Sequence, residues 1–145
     1  MKIKKILIVA DDSLPSIKAV QFGFDFARDL GAKVMLLSVI EPDLILGNPD
    51  AGIFPDDAEI AAKANTADFL TRMRNDYAQS IETELASPEG DIGPIVLKVI
   101  ADWHADLVVT GTHGRTGISK LVIGSVAESI IGLSPVPVCV VPVDN

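Results

Sequence analysis

Cysteine, histidine and aromatic side chains are scarce in this chain of 145 residues, and basic residues are few. It has one cysteine, two histidines, one tryptophan and one tyrosine. A single cysteine, Cys139, excludes an intramolecular disulfide and is typical of a reducing compartment. With only His104 and His113 beside it, the chain has too few cysteines and histidines for a structural zinc centre of those ligands.

The charge balance excludes several classes of partner. Twelve Lys and Arg residues stand against 20 Asp and Glu residues, which gives a formal net charge of −8. A chain this acidic has no general attraction to nucleic acids or to an anionic membrane surface. No apolar run approaches the roughly 20 residues of a membrane span, and Asp11 and Asp12 end the N-terminal run too early for a signal peptide. We therefore expect a cytoplasmic protein that binds neither nucleic acid nor membrane.

Short apolar runs and segments of helical periodicity alternate along the chain. The predicted strands are residues 3–10, 33–40, 80–86, 106–110 and 138–141. The predicted helices follow the Asp11-Asp12-Ser13 turn as far as a left-handed cap at Gly31, and then cover residues 57–77, 94–103 and about 125–131. This order predicts one α/β domain over residues 1–145: an open, five-stranded parallel sheet of flavodoxin-like order 3-2-1-4-5, with helices on both faces.

The segment 41–57 differs from the rest of the chain. It contains three prolines, two glycines and several acidic residues, so we expect no regular element in it. Leu44, Ile45 and Phe54 also make it partly apolar. A long loop in a compact domain is usually a functional lid or a disordered excursion, and we favour the lid.

A glycine-rich stretch from Gly111 to Ser125 follows the fourth predicted strand and leads into the last helix. Glycines let the backbone approach a phosphate closely, and the free N–H groups at a helix N-terminus favour an anion. Ser125 is a natural N-cap for this helix. The spacing is neither that of the P-loop nor that of the dinucleotide fingerprint. From spacing alone, phosphate binding and an ordinary strand-to-helix connection are equally good interpretations.

The pattern Gly111-x2-Gly114-x9-Gly124-Ser125 resembles the nucleotide motif of the universal stress protein family. The resemblance covers nearly the whole chain. It includes the segments ILIVADDS, LLSVIEP, DLVVTGTHG and SPVPVCVVP, which resemble the family's first, second, fourth and closing strands. It implies an ATP-binding regulatory protein of the stress response, with at most slow ATP hydrolysis.

The resemblance also implies a role for individual residues. Asp11 would meet the nucleotide near its ribose, and Val39 would lie beside the adenine. Family members usually dimerise, often by pairing their last strands, which here would be residues 138–141. The remaining implied contacts surround the phosphates: Gly111, Gly114, Arg115, Gly124, Ser125 and Val126.

Asp12 departs from the family pattern, which usually has glycine at this position. A second carboxylate beside a polyphosphate repels it unless a hard cation lies between them. Asp12 therefore either weakens ATP binding or is a ligand of Mg²⁺ or Mn²⁺ bound with the nucleotide.

Two other functions are compatible with parts of the pattern. A family member that has lost its nucleotide would serve as a protein interaction module. A receiver domain, phosphorylated on aspartate, also has an acidic pair after its first strand. That class needs an aspartate at the end of the third strand and a lysine at the end of the fifth, whereas Ala86-Ser87-Pro88 and Val141-Pro142-Val143 stand there. The receiver is thus the weaker alternative.

Overall fold

The computed structural model describes residues 2–42, 48–52, 54–112 and 124–142. Its strands are β1 (Lys5–Val9), β2 (Lys33–Leu37), β3 (Thr83–Ala86), β4 (Leu107–Gly111) and β5 (Val138–Val141). Its α-helices are α1 (Leu14–Leu30), α2 (Pro55–Met73), α3 (Ile92–Trp103) and α4 (Ser125–Leu133). A 3₁₀ turn, Pro49–Ala51, precedes α2, and a π-helical turn, Arg74–Ala78, continues it.

The strands form one parallel sheet in the order β3-β2-β1-β4-β5, which confirms the predicted topology. β1 lies at its centre, where Ile6 pairs with Val34 on one side and with Leu107 on the other. A strand buried on both faces needs a continuous apolar run rather than an alternating one. The fully buried sequence Ile6-Leu7-Ile8 meets that requirement.

Helices cover both faces of the sheet, as predicted. Successive side chains of β1 point to opposite faces, so Ile8 belongs to one buried cluster and Leu7 to another. The first cluster joins the sheet to α1 and α2, including Phe24, Phe69 and Met73. The second joins it to α3 and α4 through Val96, Ile100 and Ile130.

Gly23 allows α1 to pack very closely on the centre of the sheet. A Cβ at this position would lie 2.5 Å from Cδ1 and 2.8 Å from Cγ1 of Ile8. Because Ile8 is completely buried, it has little room to move away. The helix ends at Gly31, whose φ of 67° is the predicted left-handed cap conformation.

Several element boundaries differ from those predicted. α2 begins at Pro55 and a 3₁₀ turn precedes it, so the prediction that residues 41–57 contain no regular element was wrong. α3 likewise begins before Pro94, because proline is tolerated in the first turn of a helix. Residues 43–47 and 53 lie outside the described part of the chain, so the lid stays a prediction. None of the helices that the structure describes is long and apolar enough to cross a bilayer.

The close contact at Gly23 predicts opposite effects for the same substitution in two helices. Gly23→Ala should lower the free energy of unfolding by about 1–2 kcal/mol, because overpacking against Ile8 outweighs the gain in helix propensity. Gly132→Ala in α4 should raise it by up to about 1 kcal/mol, since a Cβ at Gly132 meets no atom within 4 Å. Urea unfolding of both variants measures the difference. Equal stabilisation by both would contradict the tight packing at Gly23.

Candidate functional site

The carboxyl ends of β1, β2 and β4 meet at one edge of the sheet. The chain leaves β1 towards β2 and leaves β4 towards β5, so the two connections diverge between the central strands. Ligands of open α/β sheets bind in the crevice that such a divergence opens. Backbone pairing continues past the strand ends, with the Ala10 amide donating to the Leu37 carbonyl at 2.9 Å and the Thr112 amide donating to the Val141 carbonyl at 3.2 Å. Asp11, Val39 and Thr112 are thereby brought to the same edge.

Asp11 is held in place by the start of α1. Its backbone amide donates to Oγ of Ser16 at 2.7 Å, and its Oδ1 accepts a hydrogen bond from the Ser13 amide at 2.9 Å. The helix itself is capped by Ser13, whose Oγ accepts from the Ser16 amide at 3.3 Å. The half-buried carboxylate of Asp11 therefore has a fixed orientation at the strand end. The supporting role of Ser16 was not predicted, although a hydroxyl in the first turn of the helix was a usable signal.

Val39 supplies an apolar surface at the same edge. It belongs to the buried cluster on the α3 side of the sheet, together with Val9 and Leu37, and is 9% exposed. Val39 follows two residues after the end of β2, as Asp11 follows two residues after the end of β1. A carboxylate and an apolar contact thus lie on neighbouring strands, which suits a ligand with a sugar and a flat ring.

The N-terminus of α4 lies directly against the end of β4. The Gly124 amide donates to the Thr112 carbonyl at 2.7 Å, and the Glu128 amide donates to the Gly124 carbonyl at 2.9 Å. Gly124 is the N-cap, with φ −62° and ψ 156°, and Ser125 is the first helical residue. The prediction of Ser125 as the N-cap was therefore wrong by one position.

The identity of this cap matters for ligand binding. Glycine has no side chain with which to cap the first amide groups of α4, and no side chain of the described residues is seen to cap them. The positive end of the helix dipole favours an anion at the same place. Ser125 and Val126 supply two of the amide groups of this first turn. The arrangement can hold a phosphate without a basic side chain.

Thr112 adds an unsatisfied hydroxyl at the base of the same loop. Within the described part of the chain, its Oγ1 is buried and has no hydrogen-bond partner. Buried polar atoms in folded proteins are almost always paired, so an unpaired one often marks a place where a ligand or water binds. Thr112 lies between Gly111 at the end of β4 and the rest of the glycine-rich stretch.

The middle of the glycine-rich stretch lies outside the described residues. Gly114 and Arg115 belong to it, together with His113. Their part in the motif stays a prediction, whereas the two ends of the motif, Gly111 and Gly124, are placed beside each other through Thr112.

Asp12 is exposed in the turn between β1 and α1. Over residues 2–42, 48–52, 54–112 and 124–142, no three or more His, Cys, Asp or Glu side chains come together as a cation site. The two neighbouring carboxylates Asp11 and Asp12 alone do not complete the six or more oxygen ligands of a hard cation. A metal at Asp12 would need oxygen ligands from a bound nucleotide, and it stays a prediction.

The receiver alternative fails at both of its additional positions. β3 is the edge strand of the sheet and ends at Ala86, and β5 ends at Val141, followed by Pro142. Neither the acceptor aspartate nor the lysine of that class is present at these strand ends. The carboxyl edge therefore has the groups for an anion but not those for an aspartyl phosphate.

Comparisons with known proteins agree with this topology. The model of the universal stress protein family matches residues 2–142. Universal stress protein A of Escherichia coli is 33% identical over 144 residues, covering 98% of this chain and 96% of the relative. Universal stress protein MJ0531 of Methanocaldococcus jannaschii is 29% identical over 140 residues, covering 95% and 81%.

Solved structures show the same fold at lower identity. Hypothetical protein MJ0577, in a structure-based assignment of its biochemical function, superposes with a TM-score of 0.86 at 23% identity and covers 100% of this chain and 99% of its own. A universal stress protein in complex with cAMP gives a TM-score of 0.69 at 22% identity, covering 97% and 98%. The protein from Archaeoglobus fulgidus in complex with dAMP gives 0.65 at 21% identity, with the same coverage.

The hydrogen bond between Ser16 and the Asp11 amide predicts a cost for its removal. Ser16→Ala should lower the free energy of unfolding by about 1–2 kcal/mol, because it leaves the Asp11 amide without its acceptor in a partly buried position. Ser129→Ala, at an exposed site of α4, is the matched control and should change stability by less than about 0.5 kcal/mol. Urea unfolding compares the two. A Ser16→Ala protein as stable as the control would show that water replaces the hydroxyl.

Proposed function

The chain belongs to the universal stress protein family, and we propose that it acts as one domain that binds an adenine nucleotide at the carboxyl edge of its sheet. The observation that carries the proposal is the glycine-capped N-terminus of α4, fastened to the end of β4 by the 2.7 Å bond between Gly124 and Thr112. This arrangement presents amide groups that the cap residue leaves uncapped, in the part of the chain that the structure describes, where a phosphate would lie.

Each part of the nucleotide has a counterpart at this edge. The phosphates would be bound by the amides of Ser125 and Val126, with Gly111, Gly114 and Arg115 in the same loop. The ribose hydroxyls would donate to the carboxylate of Asp11, which its bond with the Ser13 amide keeps oriented. The adenine would lie against Val39. Binding of cAMP and dAMP by two proteins of the same fold supports an adenine nucleotide as the ligand class.

ATP is the ligand that we favour, with Mg²⁺ or Mn²⁺ held between its phosphates and Asp12. A divalent cation would offset the repulsion between that carboxylate and the phosphates, and its chemistry suits oxygen ligands. The sequence departure at Asp12 then makes nucleotide affinity dependent on the cation. The single cysteine and the acidic composition support a cytoplasmic setting for this activity.

The chemistry of the described residues fits a protein that hydrolyses ATP slowly at most. An ATPase needs a group that positions or deprotonates the attacking water. Asp11 is engaged by the Ser13 amide, and Asp12 is the carboxylate that we assign to the cation. With Asp11 assigned to the ribose and Asp12 to the cation, neither carboxylate acts as the general base in this proposal. A regulatory role that depends on nucleotide occupancy therefore suits the site better than turnover.

Gly124→Val should weaken nucleotide binding strongly without unfolding the protein. The φ of −62° at Gly124 is an ordinary value for any residue, so valine strains no backbone there. Its side chain would fill the space over the N-terminus of α4 that a phosphate needs. Isothermal titration calorimetry with ATP, with and without Mg²⁺, should show micromolar binding by the wild-type chain and a loss of about tenfold or more in the variant.

Gly132→Val is the matched control, because it makes the same change at the other end of α4, where a Cβ meets no atom within 4 Å. It should bind ATP as the wild type does. Absence of ATP binding in the wild type under both conditions would refute the nucleotide proposal and favour an interaction module that has lost its ligand. Equal ATP binding by Gly124→Val and Gly132→Val would mean that the phosphates do not bind at the N-terminus of α4.

We also propose that two copies of the chain pair through β5. This strand is an edge of the sheet, and its residues Val138, Cys139 and Val140 are apolar and only partly buried. An apolar edge strand has unpaired backbone groups and invites pairing with another chain. The opposite edge, β3, carries Thr83 and Glu84 instead and is less suited to such pairing.

Val140→Lys should convert the dimer to a monomer, because a lysine on an apolar edge strand introduces charge into the paired interface. Thr83→Lys on β3 is the control and should leave the dimer intact. Sedimentation velocity distinguishes the two states. A wild-type chain that sediments as a monomer, or a Val140→Lys variant that remains dimeric, would contradict pairing through β5.

A further inference from the structure

A cleft of about 540 Å³ lies between α3 and the strands β2 and β3, on the face of the sheet opposite α1. Its walls are mostly apolar. Met35 contributes from β2, and Ala86 and Pro88 contribute from the end of β3. The side of α3 that faces them carries Ile95, Val99 and Trp103.

The cleft exists because the edge strand β3 has no bulky apolar side chain on this face. The register pairs Met35 with Glu84 and Leu37 with Ala86, so these side chains point to the same face of the sheet. β3 therefore contributes one polar side chain and one methyl group to this face. Bulky side chains of α3 stand opposite the alanine, and a gap remains between them.

Trp103 forms an aromatic wall of the cleft. Its indole Nε1 donates to Oε2 of Glu84 at 2.6 Å, and its carbonyl accepts from Nζ of Lys5 at 3.0 Å. The Lys5 ammonium also lies 5.4 Å from the centre of the ring. A ring that already makes such contacts has less freedom to lose when a ligand packs against it.

Lys98 and Asp102, which line the cleft together with Ser87, are paired with each other. Lys98 Nζ donates to Oδ2 of Asp102 at 2.6 Å, one turn apart on α3. This hydrogen bond, together with the charge of Asp102, raises the pKa of Lys98 and so favours its ammonium form. Glu84 accepts the indole N–H of Trp103. Because the Lys98–Asp102 pair is exposed to solvent, it offers a charged ligand little more than water does, whereas the apolar walls favour a neutral one.

We propose that this cleft binds a neutral, mainly apolar small molecule that carries an aromatic ring. Its volume lies within the range of small-molecule sites, about 300–1,000 Å³. A protein helix is about 10 Å wide, so the cleft would hold little more than one turn of it. The indole of Trp103 favours stacking with another ring, and the thioether of Met35 also packs well against aromatic groups.

Trp103 allows a direct test, since it is the only tryptophan of the chain. The probe is N-phenyl-1-naphthylamine, a neutral fluorophore whose excitation overlaps tryptophan emission. We expect saturable quenching of Trp103 fluorescence with a matching rise in probe emission, at a dissociation constant on the order of ten micromolar. Saturating ATP with Mg²⁺ should leave the titration unchanged, because the cleft is separate from the proposed nucleotide site.

Ala86→Phe should fill the cleft and weaken probe binding by about tenfold or more. Ala67→Phe makes the same change at an exposed position of α2, away from the cleft lining, and should bind the probe normally. Val99→Lys is a second variant, which places an ammonium in the apolar wall without requiring the strand end to accept a ring. Thermal unfolding verifies that each variant is folded before it is titrated.

Four results would overturn the proposal. The first is the absence of saturable quenching in the wild type. The second is normal binding by folded Ala86→Phe or Val99→Lys, which would place the probe elsewhere. The third is displacement by ATP, which would place it at the nucleotide site. The fourth is an apparent dissociation constant that rises with protein concentration, which would assign the cleft to a second copy of the chain.

Discussion

The pairing of β1 with β4 is the constraint on which the other features depend. Ile6–Val9 lie in parallel register with Leu107–Thr110, and nearly all of these side chains are excluded from solvent. Because the chain leaves these two strands in opposite directions, their carboxyl ends are not covered by a crossover helix. Asp11 and Gly111 stand at those ends, and Gly124 is brought to them through its bond with Thr112. Without the central pair, neither the carboxylate nor the start of α4 would have a fixed place.

Much of the fold could be predicted from the sequence, because burial on both faces of a parallel sheet imposes apolar runs that are visible along the chain. The bounds of β5 and the cap at Gly31 were predicted correctly for this reason and for the conformational freedom of glycine. The helix starts were less predictable. Proline ends a helix in one context and begins it in another, so Pro55 was interpreted as part of an irregular segment. No local sequence pattern predicts the π-helical turn at Arg74–Ala78.

The sequence predicted where the main residues of the candidate site lie, but not the residues that hold them in place. The positions of Asp11 and Val39 follow from the strand ends and the strand order, and both are visible in the sequence. The choice between Gly124 and Ser125 as N-cap depends on one pair of backbone angles, and both residue types are acceptable there. The role of Ser16 depends on how α1 meets β1, and that of Trp103 on how α3 meets β1 and β3. Such contacts join residues far apart in the chain or in unpredicted turns, so no local pattern contains them.

β2 connects the two binding sites that we propose. Met35, Leu37 and Val39 alternate onto the same face of the sheet, since side chains of a strand repeat every second residue. Met35 lines the cleft and Val39 lies at the carboxyl edge, about 13 Å apart along the strand. Leu37, which is completely buried, lies between them in the chain. The two proposed sites therefore share a strand but no side chain. One depends on the packing of α3 against β3, and the other on the strand ends at the carboxyl edge. A substitution that fills one site need not disturb the other, so ligand binding at the two sites can be measured separately.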